Sequence, residues 1–255
     1  MRIGLLFVVG ALVASCGSRE PRPVAEAAPV EAAPAETAYA EVPQPPPDTR
    51  PSAEPTVHEP RRDPLAALLD PSAARARAPE KYAVRFTTTK GVFEVTCTRS
   101  WAPKAADRFF NLVKIGYYDD TVFFRVINDP QPFIAQWGIH GSPVVNEKWK
   151  NTEVEADPVV QTNHRGTLTF AMGGSKTFTT QVFVNLADNG RLDKMGFAPL
   201  CEVDPGGMRV LDSLFGGHKE RASMQQQTIE QQGNGFLKSN FPGLDAVITA
   251  DVLPR

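Results

Sequence analysis

The stretch FFRVINDPQPFIAQWG, residues 123–138, decides how this chain is read. Phe123, Phe124, Val126 and Ile127 suit a buried β-strand, yet Arg125 sits among them. Further on, Gln136 lies between Ile134 and Trp137 in a second apolar run. A guanidinium in such surroundings is costly unless it is exposed, paired or used. Strand alternation puts Phe123, Arg125 and Ile127 on one side and Val122, Phe124 and Val126 on the other. The expectation is that Val122, Phe124 and Val126 face the core, that Arg125 points over a shallow apolar groove, and that Gln136 is its orienting partner.

Outward from this stretch, residues 80–255 are rich in short strands. YAVRFTTTKGVFEVTCT (82–98) is a hairpin pattern, with Gly91 supplying an unusual backbone angle. In WAPKAADRFFNLVKIG, Pro103 suits a first helical turn, and Ala106, Phe109, Phe110 and Val113 share one helical face. TVFFRVI, PFIAQWG, GTLTFAM, QVFVNL, GFAPLCEV and DAVITADVL read as further strands. Residues 139–164 read as a long polar connection. GGMRVLDSLFGG (206–217) reads as a second helix, with Met208, Leu211 and Phe215 in phase. Strands dominate without βαβ alternation, so the expected fold is mainly β: a closed eight-stranded antiparallel barrel with two principal flanking helices.

The N-terminal part is different in kind. Residues 1–16, MRIGLLFVVGALVASC, have a basic start, a short apolar core and small residues leading to Cys16. LVASC resembles a bacterial lipobox, which makes Cys16 a lipidation site and anchors the chain to a membrane; an ordinary signal peptide with a chance cysteine is the plainer alternative. Gly17 after the cysteine favours the periplasmic face of an outer membrane. Residues 17–79 form the expected Pro/Ala-rich disordered linker, and 11 of the chain's 23 prolines fall between Gly17 and Arg62. Within it, DPLAALLDPSAARARA has the composition for one or two helical turns or for disorder. With Cys16 set aside, Cys97 and Cys201 are either a disulfide in an oxidising compartment or two buried hydrophobes.

Several chemistries find little support. The formal net charge of -2 shows no basic stripe for nucleic acid. His58, His140, His164 and His218 have no metal-ligand spacing, so no metal and no cofactor is expected. GGSKT (173–177) lacks the phosphate-loop pattern, and there is no G-x-S-x-G elbow. What remains is an Arg, Gln136, Gln181 and aromatic residues set in apolar strands.

In order and spacing, FFRVI, PFIAQWG, GTLTFAM, TTQVFVNL and RLDKMGFAPLCEV resemble the cyclophilins, the peptidyl-prolyl isomerase family, over residues 82–253. NTEVEADPVVQTNHRGTLTFAM resembles its bacterial branch. The resemblance implies Arg125 as the donor to the prolyl amide and Gln136 as the residue that positions it. It implies a proline pocket of Phe133, Ile134, Phe183 and Leu192, with Gln181 on the polar rim, Phe197 as an aromatic wall, and Ala171 and Met172 offering main-chain contacts. This chain departs from the family at Arg191, where Trp is common, and at Met172, Phe197 and Ile134, which stand for Asn, His and Met. The implied activity is rotation about X-Pro bonds in exported polypeptides, by a monomeric enzyme. A non-catalytic proline-binding module and a structural envelope lipoprotein are the rival readings.

Overall fold

The computed structural model describes residues 64–254. The signal segment, Cys16 and the linker up to residue 63 lie outside the described residues. In chain order, α1 (Pro64–Leu69) precedes β1 (Lys81–Thr88) and β2 (Gly91–Thr98), then α2 (Pro103–Lys114), β3 (Arg125–Val126) and β4 (Ile134–Trp137). Next come α3 (Pro143–Trp149), β5 (Val154–Glu155), β6 (Thr167–Phe170), β7 (Thr177–Phe178), β8 (Val182–Asn185) and β9 (Pro199–Val203). The described chain continues through α4 (Gly207–Asp212) and α5 (Gln226–Asn240) to β10 (Val247–Val252).

Eight of the strands form one curled antiparallel sheet in the order β10-β1-β2-β9-β6-β8-β4-β3; β5 and β7 pair separately. Its outer strands meet at one isolated bridge, Val122 to Ala246, where Phe123 N donates to Asp245 O at 2.9 Å and Val247 N to Thr121 O at 2.8 Å. β3 and β10 remain the two ends of the sheet, with no strand ladder between them, so the described sheet is a curled half-barrel with a bridge just outside its two end strands.

The β1–β2 hairpin forms as the alternation indicates, and Gly91 holds φ at +129°, where a side chain would be strained. The core beneath the sheet is aromatic. Phe86 stacks on Phe93 at 4.9 Å, and the Trp137 ring meets Phe86 at 5.5 Å and Phe123 at 5.0 Å. Cys97 and Cys201 face each other in register across β2 and β9 and are joined as a disulfide.

Four expectations change. First, α2 buries Ala105, Ala106, Phe109, Leu112 and Val113, whereas Phe110 is only partly covered, against Tyr82 and under Lys114. Second, residues 139–164 contain α3, which begins at Pro143 and buries Val145 and Trp149. Third, α5 replaces the 206–217 segment as the second principal helix: α4 ends at Asp212 and Phe215 is exposed. The glutamines of α5 and a break at Gly233 (φ 65°) hide a buried face of Ile229 and Leu237. Fourth, order begins before residue 80: of the two readings of DPLAALLDPSAARARA, the helical turns are the one found, as α1 and a short 3-10 turn at Pro71–Ala73. Leu68 and Leu69 pack on the main core, Leu68 O accepts from Trp149 Nε1 at 2.8 Å, and Ala78 N donates to Asp107 Oδ1 at 2.8 Å.

The strand alternation around Arg125 also fails locally. Phe123 and Val126 enter the main core, while Val122 and Phe124 join a second apolar cluster with Ile139, Ala222, Ile229, Leu237 and Phe241. Across a tight turn in which Phe124 N donates to Val122 O at 2.9 Å the alternation still holds, and it breaks between Phe124 and Val126, where the irregular segment passes into β3.

Candidate active site

The antiparallel register places Arg125 of β3 directly opposite Gln136 of β4, and Gln136 directly opposite Phe183 of β8. The pairing converts three separated sequence runs into one surface. Arg125 Nη1 donates to Gln136 Oε1 at 3.1 Å, and Gln136 Nε2 donates to Gln181 Oε1 at 2.8 Å. Gln181 Nε2 in turn donates to Gln226 Oε1 at 3.0 Å. Gln136 is 5% exposed, so its amide has little water to satisfy it and its orientation follows from these bonds.

Beside this polar row lies an apolar floor. Ile134, Phe183 and Leu192 are buried together, with Phe133, Ala171 and Phe197 packed against them. The Phe183 and Phe197 rings meet edge to face at 5.8 Å. The Arg125 guanidinium lies 5.6 Å from the Phe133 ring centre and that of Arg191 lies 4.5 Å from it. These distances suit cation–π attraction, which keeps both side chains along the rim. The cavity so formed measures about 460 Å³. Every residue assigned to the site from the sequence lines it: Arg125, Phe133, Ile134, Gln136, Ala171, Met172, Gln181, Phe183, Leu192 and Phe197.

The sequence reading missed what holds these residues. Asn163 Nδ2 donates to Asp193 Oδ1 and Phe197 O, each at 2.8 Å. Asn189 Nδ2 donates to Phe133 O at 2.9 Å and to Asn185 Oδ1 at 2.8 Å, and Asn185 Nδ2 reaches Thr167 Oγ1 at 2.9 Å. These buried amides fix the loop that carries Leu192 and Phe197. Asn185 was detectable, being a polar residue inside the apolar run QVFVNL, the same anomaly that singled out Gln136. Glu220 was also missed. Its carboxylate accepts from Arg125 Nε at 2.8 Å and from Arg125 Nη2 at 2.7 Å, and nothing in GGHKERASM marks it. The Arg125 guanidinium beside Glu220 holds that carboxyl below the usual glutamate range.

A guanidinium held by two partners beside an apolar floor, with no cluster of three or more His, Cys, Asp or Glu for a metal ion among the described residues, makes a site that can seat an apolar ring and aim a charged N–H donor at it. The model for the family described as cyclophilin type peptidyl-prolyl cis-trans isomerase/CLD matches residues 83–233, and the chain belongs to this family of enzymes. It is 34% identical over 116 residues to peptidyl-prolyl cis-trans isomerase-like 1 of Neurospora crassa, covering 43% of this chain and 68% of that protein. It is 35% identical over 138 residues to peptidyl-prolyl cis-trans isomerase A of the bacterium Dickeya dadantii, covering 51% of this chain and 70% of that protein. A cyclophilin type isomerase from Cryptosporidium parvum, solved in the presence of the dipeptide Ala-Pro, is 18% identical with a TM-score of 0.45, over 68% of this chain and 99% of that one.

Proposed function

We propose that this chain is a lipid-anchored prolyl isomerase of the bacterial branch, acting on exported polypeptides. The observation that carries the catalytic part is the Arg125–Gln136 pair set over the Ile134, Phe183 and Leu192 floor. Amide resonance gives the trans/cis barrier of about 18–20 kcal/mol. In the twisted transition state the prolyl nitrogen regains its lone pair and becomes a better acceptor. The proline ring sits on the apolar floor, and an N–H of Arg125 donates to that nitrogen. This interaction grows as the bond twists, which is the requirement for lowering the barrier. Gln136 keeps the guanidinium at the correct angle. The Ala171 N–H already donates to Gln181 O at 2.9 Å, so the Ala171 carbonyl is the group offered to an extended peptide.

Anchoring at Cys16 and a periplasmic location rest on the order of charge, apolar core and cysteine at the N-terminus. The Cys97–Cys201 disulfide supports an oxidising compartment. A closed barrel rests on the Val122–Ala246 bridge. Exchange NMR on an X-Pro peptide tests the catalysis. The full chain is expected to accelerate exchange, with kcat/KM falling about 100- to 1000-fold in Arg125→Ala, the scale of losing one transition-state donor. Equal rates for the two chains would refute it. Metabolic labelling with a palmitate analogue tests the anchor: label on the wild type and none on Cys16→Ala is expected, and an unlabelled wild type would refute lipidation.

A further inference from the structure

The carboxylate on Arg125 comes from outside the cavity. Glu220 lies in the turn between α4 and α5, 95 residues away in sequence, and its two oxygens take the Nε and Nη2 edge of the guanidinium. Gln136 takes Nη1. Of the five N–H donors of an arginine, this accounts for three and leaves two, one on Nη1 and one on Nη2. Arg125, Gln136 and Gln226 line the cavity; Glu220 is not among its lining residues. The carboxylate therefore holds the guanidinium by an edge turned away from where a peptide binds.

Glu220 is itself held. Ser223 Oγ lies 2.7 Å from Glu220 Oε2, and Met224 N donates to Glu220 O at 3.0 Å. Ala222 is fully buried in the second apolar cluster, which also contains Phe124 next to Arg125. His218 sits edge-on between Phe215 and Phe241 at 5.4 and 5.3 Å. The turn is thus fixed on both sides of Glu220, and the ion pair joins two braced segments.

We infer that Glu220 is a positioning residue for catalysis: it locks the Arg125 guanidinium in the plane and direction that aim its remaining N–H groups into the proline pocket. A bidentate carboxylate suits this task because it fixes rotation about the last side-chain bonds, which a single hydrogen bond does not. The inference rests on the isomerase reading, in which Arg125 is the donor.

The test is a double-mutant cycle in the full chain, reading kcat and KM for an X-Pro peptide. Glu220→Gln keeps size but loses the charge and one acceptor. The expected result is a drop in kcat of about 10-fold with KM within about twofold, and partial recovery in Glu220→Asp. In an Arg125→Ala background the same Glu220→Gln change is expected to cost nothing further, since the residue acts only through Arg125. Unchanged or raised kcat in Glu220→Gln would overturn the inference; a raised value would mean that the carboxylate withholds the donor. An equal loss in the Arg125→Ala background would also overturn it, by showing a merely structural effect. If Glu220→Gln does not fold, Ser223→Ala frees one carboxylate oxygen and is expected to lower kcat about twofold, and wild-type kcat there would overturn the inference. Wild-type turnover in Arg125→Ala alone would instead refute the isomerase reading.

Discussion

Arg125 illustrates how one residue can be legible in sequence while its setting is not. A guanidinium in FFRVI is anomalous on burial grounds alone, and the structure resolves the anomaly with Gln136, Glu220 and the Phe133 ring. Arg125→Lys keeps the charge but cannot hold the bidentate carboxylate and Gln136 together. Its kcat/KM is expected to fall about 100-fold, measured by exchange NMR, with the unfolding temperature nearly unchanged. A different residue contributes to the pH dependence of stability in mild acid. Burial lowers the pKa of His140, whose Nδ1 accepts from Ser142 N at 2.9 Å. Above its unfolded value of about 6.5 the ring is neutral in both states and adds no pH dependence. As pH falls below that value, the unfolded chain takes a proton that the folded one resists, so stability declines until the lower folded pKa is passed. Thermal unfolding followed from about pH 7.5 to 5 should therefore show a flatter profile in His140→Gln. The Tyr117 ring packed against His140 comes from a separate segment, and no spacing in the sequence announces it.

At the scale of elements, strands with clean alternation could be read directly, as β1 and β2 show. The error near residue 123 arose because the period breaks between Phe124 and Val126, at the start of β3, with no glycine or proline to mark it. Helix α5 was invisible for the opposite reason: its few buried residues are diluted by glutamine, and its burial is decided by the cluster it covers. The pocket residues were legible because the runs that carry them are specific. The amides behind them were not, since a buried Asn is defined by its partners. Asn185 is fully buried at the centre of that network, so Asn185→Ala strands several polar groups. A loss of about 2–3 kcal/mol in denaturant unfolding is expected, together with a raised KM as Leu192 and Phe197 loosen. The β2–β9 disulfide closes a separation of 104 residues. Replacing both cysteines with alanine should cost about 4 kcal/mol while leaving kcat near wild type, because neither residue borders the cavity.

Across the whole molecule, the boundary of the folded part is set by packing and not by composition. The Pro/Ala bias runs on towards residue 79, yet α1 is tied to Trp149 and the main core. A chain starting at residue 80 should therefore unfold lower than one starting at 64, by about 2–4 °C for each kcal/mol that α1 contributes, by calorimetry. Equal melting temperatures would place α1 outside the cooperative unit. The second apolar cluster reaches further still. Phe124 and Ala222 meet in it, so the neighbour of the donor and the neighbour of its carboxylate partner belong to one packing unit with Ile229 and Leu237 of α5. Of that helix, Gln226 alone lines the cavity. For heredity this means that the outer helix is part of the genetic specification of the chemistry. Substitutions at Ile229 or Leu237 would be scored as silent by any map of cavity residues, yet they would surface as rate phenotypes. Their suppressors would arise at Phe124 or Ala222, far along the gene and close in space.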